Sequence, residues 1–168
     1  FFNGKDGYPN YLDEKDILYN HGLYYSRLIK KYLQPGQILD VGCAAGFILK
    51  AFQEAGGNCK GIEPNKTMAS YARNNLNLDV RTESLEELDF QEQFDLIILI
   101  QVIGHVYDLD KSIENLSSSL KPGGLILIES WNMDSLISRI MGKNWHEYSP
   151  PSVINWFSSH TLTNLLRY

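Results

Sequence analysis

The stretch ILDVGCAAGFILKAF, from Ile38 to Phe52, constrains this chain more than any other. It opens with residues suited to a buried strand and continues as an amphipathic helix, so strand and helix meet within five residues. Gly42 can take backbone angles closed to other residues. Ala44 and Ala45 keep the loop low, and Gly46 allows the helix to approach the strand. The helix amino terminus points free N–H groups and the positive end of its dipole at whatever binds there. A tight turn with no ligand explains the glycines alone equally well.

The surrounding pattern places this turn in a fold. The spacing predicts a helix over 14–33 capped by Asp13, then a strand at 37–41 and a helix at 46–55. A second strand runs over 59–63, a helix over 65–75, and a weaker strand over 78–82. FDLIILIQV at 94–102 is nearly continuous apolar sequence, as expected of a parallel sheet covered on both faces. A helix at 108–120, a turn at Lys121-Pro122-Gly123-Gly124 and the strand LILIES at 125–130 follow, with helices at 135–141 and 161–167. Strands alternating with helices give an α/β fold, a doubly wound and mainly parallel sheet of about five strands with helices on both faces. Ligands of such sheets bind beyond the carboxyl ends of the strands.

Glu63 stands at such an end, about 20 residues after the glycine turn, where an acid accepts hydrogen bonds from both hydroxyls of a ribose. A solvated strand-end glutamate is the plainer alternative. Loop and acid together indicate an adenosine-containing cofactor. A dinucleotide fingerprint needs a third small residue where Phe47 stands, and a phosphate loop needs Gly-Lys-Ser/Thr. Asp40 is awkward beside a pyrophosphate and suits a cation. S-adenosylmethionine carries a sulfonium and an ammonium group and no phosphate.

ILDVGCAAG, GIEPN, FDLIILIQVIGHV and LKPGGLILIES, in this order, resemble the four motifs of class I S-adenosylmethionine-dependent methyltransferases, a family with a Rossmann-like sheet. Ala44 takes the place of the middle glycine of the first motif. The resemblance implies that Asp40 and the backbone from Gly42 through Cys43 and Ala44 to Gly46 hold the methionine moiety. It implies Glu63 on the ribose, Pro64 and Met68 near the adenine, and Ser84 and Leu85 at the adenine edge. Gln101 and Val102 would flank the methionine end.

Methyl transfer to a small molecule by O-, N- or C-methylation is therefore the expected activity, with S-adenosylhomocysteine as product. A cofactor-binding module without catalysis and a nicotinamide-dependent oxidoreductase are the alternatives; Phe47 speaks against the second. A hydroxyl acceptor needs a base, and His105 stands where one would sit, though a histidine packing the following loop fits as well. QVIGHV is similar to the E-x-x-E-H segment of ubiquinone-type O-methyltransferases, linked there to metal. Gln101 and Gly104 replace both carboxylates, so no metal is expected. The segment after the fifth strand resembles that of many bacterial small-molecule enzymes. Trp145 and His146 could line an acceptor pocket or pack a loop, and Tyr8 and Tyr11 could form a lid.

The formal charge of -5 argues against a nucleic-acid partner. No apolar run approaches the roughly 20 residues of a membrane span. Cys43 and Cys59 lack metal-ligand spacing and suit reduced thiols in the cytoplasm. All 168 residues read as one domain: 1–33 a lid and helix, 34–130 the cofactor-binding core, 131–168 an acceptor-side segment. The family's final hairpin is expected to be absent, as in a fragment of a longer protein. That would leave the fifth strand as an exposed edge, along which a second copy could pair.

Overall fold

The computed structural model describes residues 10–34, 36–90 and 93–167. Its strands are β1 (Gln37–Val41), β2 (Asn58–Ile62), β3 (Asp79–Arg81), β4 (Phe94–Ile100) and β5 (Leu120–Glu129). Its helices are α1 (Lys15–Ile29), α2 (Phe47–Glu54), α3 (Lys66–Leu76), α4 (Leu109–Ser119), α5 (Leu136–Met141) and α6 (Ser159–Leu165). Every strand pair is parallel and the order is β3-β2-β1-β4-β5. The chain leaves β1 toward β2 and later returns to β1's other side as β4. The connections after β1 and β4 thus diverge, which opens a crevice at their carboxyl ends.

Alternation along each strand sorts the core into two layers. Ile38, Cys59, Val80, Leu96 and Ile98 pack against α1, α2 and α3. Leu39, Val41, Ile62, Ile97 and Leu99 face the other way, onto α4, α6 and Leu85 and Leu88 of the loop after β3. Asn65 and Asp108 cap α3 and α4, their side chains accepting from Thr67 N at 2.9 Å and Lys111 N at 3.0 Å.

Three local details differ from the sequence reading. Asp13 does not cap α1: a 3-10 turn over Tyr11–Glu14 runs into the helix, with Glu14 at its start. The helix also ends sooner, at Ile29, with turns beyond it. Residues 121–124 are no separate turn but an irregularity inside β5, where the register with β4 jumps from Phe94↔Leu120 to Leu96↔Leu125. Asp95 anchors that end of the sheet. It accepts from Gln37 N at 2.7 Å and from Lys121 Nζ at 3.0 Å, tying the starts of β1, β4 and β5 together. Those donors, Gln37 N first, hold its carboxyl below the usual carboxylate range.

Beyond β5, the described residues form α5, a short 3-10 turn and α6; an isolated parallel bridge, Asn132↔Phe157, is their only sheet-like contact. β5 is therefore an edge strand, as the sequence predicts. Later in the chain, α5 leaves Leu136, Ile137 and Ile140 60–75% exposed. Among the described residues no helix is long and apolar enough to cross a membrane.

Candidate functional site

A cavity of about 440 Å³ opens where β1, β2 and β4 end. Its floor is the turn after β1. Gly42 (φ 66°), Ala44 (φ 48°) and Gly46 (φ 84°) all take left-handed backbone conformations, so the chain folds tightly enough to expose backbone rather than side chain. A Cβ on Gly42 would come within 2.6 Å of Val102 Cγ2, so the space beside it belongs to the β4 tip. A Cβ on Gly46 would meet Leu78 and Ala72; this glycine seats α2 against the α3–β3 corner rather than against β1.

Glu63 is 1% exposed at the tip of β2. Its Oε2 accepts from Ala44 N at 2.8 Å and its Oε1 from Asn65 N at 2.7 Å. The acid therefore braces the glycine turn against the start of α3. Burial raises its pKa, and the two backbone donors oppose that. Asp40 does not line the cavity. It lies beneath the turn, 3% exposed, and burial, helped by the Glu63 charge, pushes its carboxyl up to about 8. Cys43, Gly46 and Met68 also lie outside the cavity lining, whereas Gly42, Ala44, Glu63 and Pro64 belong to it.

The loop after β3 supplies the next wall, with Ser84 and Leu85 as expected and Glu83 and Glu86 besides. Asn115 of α4 holds this loop, donating from Nδ2 to Leu85 O at 2.9 Å. Glu86 Oε1 accepts from Tyr107 N at 2.9 Å, which joins it to the loop after β4. Glu83 Oε1 is buried without a hydrogen bond, and Arg81 lies 3.7 Å from it. Burial raises the Glu83 pKa.

At the β4 tip, Gln101 (φ 58°), Val102 and His105 complete the enclosure. The segment after β5 returns over them: Ile154 N donates to Gly104 O at 2.9 Å, and His105 Nδ1 contacts Ser152 O at 2.7 Å. A carbonyl only accepts, so Nδ1 carries a proton, and in the neutral ring Nε2 is left as an acceptor. Beside this wall lies a second, small pocket lined by Trp131, Trp145 and Trp156. Trp145 is 6% exposed there, while His146 lies outside both cavities, edge-on to Trp131 at 4.8 Å.

Tyr11 lines the main cavity and stacks on Phe47 at 6.1 Å; Tyr8 lies outside the described residues. Among the described residues, no group of three His, Cys, Asp or Glu side chains could hold a metal ion. Sequence reasoning missed Glu83, Glu86, Tyr107 and Ser152. The two glutamates flank the predicted Ser84-Leu85 position and were within reach of a wider window. Ser152 acts through its carbonyl and has no signature in residue type.

Comparison with known proteins places these features in a wider set. A family model described as "Methyltransferase domain" matches residues 19–168. A ubiquinone biosynthesis O-methyltransferase of Bradyrhizobium sp. (strain ORS 278) is 27% identical over 140 residues, covering 79% of this chain and 55% of that protein. The chain thus spans about half the length of the curated relatives it matches. Among solved structures, an SAM-dependent methyltransferase from Thermotoga maritima aligns with a TM-score of 0.73 at 22% identity, over 94% of this chain and 74% of that one. SAM-bound CalS10, an amino pentose methyltransferase from Micromonospora echinaspora, aligns at 0.62 and 22%, over 68% of this chain and 51% of its own. At such identities these structures share the fold.

Proposed function

The chain belongs to the methyltransferase-domain family, in its class I S-adenosylmethionine-dependent branch, and from that premise we propose that it moves a methyl group from S-adenosylmethionine to a small molecule. The observation that carries this reading is the pairing of the left-handed turn Gly42–Gly46 with the buried Glu63 that braces it. The cavity fits this cofactor better than a dinucleotide: among the described residues three glutamates line it and no lysine or arginine does. A pyrophosphate would meet three carboxylates there and no cationic side chain to offset them, whereas a sulfonium and an ammonium are attracted.

Each Glu63 oxygen has one lone pair taken by backbone, which leaves the other free for a ribose hydroxyl. Pro64, Ser84 and Leu85 lie where the adenine would rest, and Gln101 and Val102 where the methionine end would. Asp40 acts from beneath the turn, Cys43 and Gly46 through their backbone, and Met68 from α3, near the adenine and behind the cavity lining. The cofactor supplies an activated methyl group, and the protein supplies alignment and exclusion of water. His105 Nε2, its ring held by the Ser152 carbonyl, receives the proton released by the acceptor.

We assign residues 34–130 to cofactor binding and 131–168 to the acceptor side, with Tyr11 and Trp145 near the acceptor. The names of the relatives support a small-molecule acceptor. We assign pairing with a second copy to the outer edge of β5, which has no strand beside it among the described residues. A cytoplasmic location agrees with two buried, unpaired cysteines.

Calorimetry with S-adenosylhomocysteine tests the reading. Glu63→Ala should weaken binding by about 1–3 kcal/mol, the scale for losing a charged hydrogen-bond partner. Equal affinities in wild type and variant would remove Glu63 from the ribose site. Binding without any turnover would leave a cofactor-binding module.

A further inference from the structure

Two residues line both the main cavity and the small tryptophan pocket: Gln101 and His105. They form the wall that the two cavities share. Each side chain is held by a hydrogen bond that fixes which of its polar atoms stays free.

Gln101 Nε2 donates to Glu129 Oε1 at 3.1 Å. A carboxylate only accepts, so the amide must turn its nitrogen toward Glu129 and its oxygen away. Glu129 is held in turn by the Tyr25 hydroxyl, and its carbonyl accepts from Gln101 N at 2.9 Å. His105 follows the same logic, with Nδ1–H on Ser152 O and Nε2 left over. Neither Gln101 Oε1 nor His105 Nε2 has a hydrogen-bond partner among the described residues. The shared wall therefore offers two acceptors and no donor from these side chains.

The surrounding charge has one sign. Glu63, Glu83 and Glu86 line the main cavity and Glu147 the small pocket, and among the described residues neither contains a lysine or arginine. Arg81 at 3.7 Å offsets Glu83 in part, and His146 stands 3.3 Å from Glu147. The cofactor's single net positive charge leaves carboxylates uncompensated. Tryptophan rings, which attract cations through their faces, line the small pocket. Its volume of about 20 Å³ admits one water-sized group.

We propose that the methyl acceptor is a primary or secondary amine, its nitrogen received between Gln101 Oε1 and His105 Nε2. This rests on the main cavity being the S-adenosylmethionine site. A hydroxyl offers one hydrogen and would leave one of the two acceptors unmatched; an amine offers one to each. The protonated amine gives a proton to His105 Nε2. The freed nitrogen lone pair forms the N–C bond to the sulfonium methyl as the C–S bond breaks. That bonding pair stays on sulfur, giving S-adenosylhomocysteine and the methylated ammonium, and His105 then passes its proton to water. Glu129 is a positioning residue in this scheme, since it fixes the Gln101 amide.

The test uses the full chain with S-adenosylmethionine and matched pairs: tryptamine with tryptophol, benzylamine with benzyl alcohol, glucosamine with glucose. Mass spectrometry should find an amine methylated about 100-fold or more faster than its hydroxyl partner, the discrimination expected of a site with fixed hydrogen-bonding atoms. In Glu129→Gln the new amide can donate, so Gln101 is free to turn round. The amine KM should then rise about tenfold, one hydrogen bond's worth, with S-adenosylhomocysteine affinity within about twofold of wild type. Preference for a hydroxyl, no methylation of any member by a protein that binds S-adenosylhomocysteine, or an unchanged KM in Glu129→Gln would each overturn the proposal. Failure of the wild type to bind S-adenosylhomocysteine would instead overturn the cofactor reading beneath it.

Discussion

Asp40 has an ordinary value of 3.8, and burial, with the Glu63 charge, pushes it up to about 8 in the folded protein. Between those values the folded state keeps a proton that the unfolded state has already lost. The stabilisation is complete below the unfolded value and fades as pH rises through the folded one, by at most about 1.4 kcal/mol per pH unit for one group. Glu63 is shifted in the same direction, by burial first, and adds to the slope. Asp40→Asn removes the ionisation while keeping the shape. The variant should lose much of the decline between pH 5 and pH 8 and be more stable than wild type at pH 8, on the order of 2–5 kcal/mol. Urea unfolding at several pH values reads this directly. Profiles that run parallel in the two proteins would show that Asp40 is ionised in the fold.

At the scale of elements, α1 is held to α2 by a close approach at Gly22. A Cβ there would lie 2.7 Å from Ala51 Cβ and 2.8 Å from the Ile48 carbonyl oxygen, and a backbone carbonyl cannot swing aside. Gly22→Ala gains up to about 1 kcal/mol of helix propensity but forces two packed helices apart, which costs about 1–3 kcal/mol. The net effect should be a loss of about 1–2 kcal/mol, seen as a lower urea midpoint; a more stable variant would mean that α1 slides freely over α2. The chemical reason for Gly22 is invisible in sequence, where it is one glycine inside a helical pattern. Other elements were legible because their cause is local. The apolar runs of β1 and β4 and the acid ending β2 announce themselves within a few residues. The irregularity at 121–124 reads as a turn because Pro-Gly-Gly has the same local chemistry whether or not β4 extends alongside it. The aromatic segment after β5 was least legible. Trp145 enters a pocket wall while neighbouring His146 is left outside, and only the return of that segment over Gly104 decides which.

At the scale of the whole molecule, the cavity joins the two halves of the sheet. Gly42, Ala44 and Glu63 lie on the β1–β2 side of the crevice and Gln101, Val102 and His105 on the β4 side, so a ligand between them ties both to the folded state. Among the described residues its lining runs from Tyr11 to Ser152. A ligand at a hundredfold its Kd adds about 2.7 kcal/mol to the folded state. For about 150–250 residues each kcal/mol moves Tm by about 2–4 °C. S-adenosylhomocysteine at that concentration should therefore raise Tm by about 5–11 °C, and NADH should not raise it. Gly42→Val forces a β-branched side chain into a left-handed turn and against Val102, on the floor of the same cavity. That variant should keep its far-UV circular dichroism at low temperature and lose the ligand-induced shift. A shift of equal size in Gly42→Val would move the binding site away from the β1 turn, and an equal response to NADH would reopen the choice of cofactor.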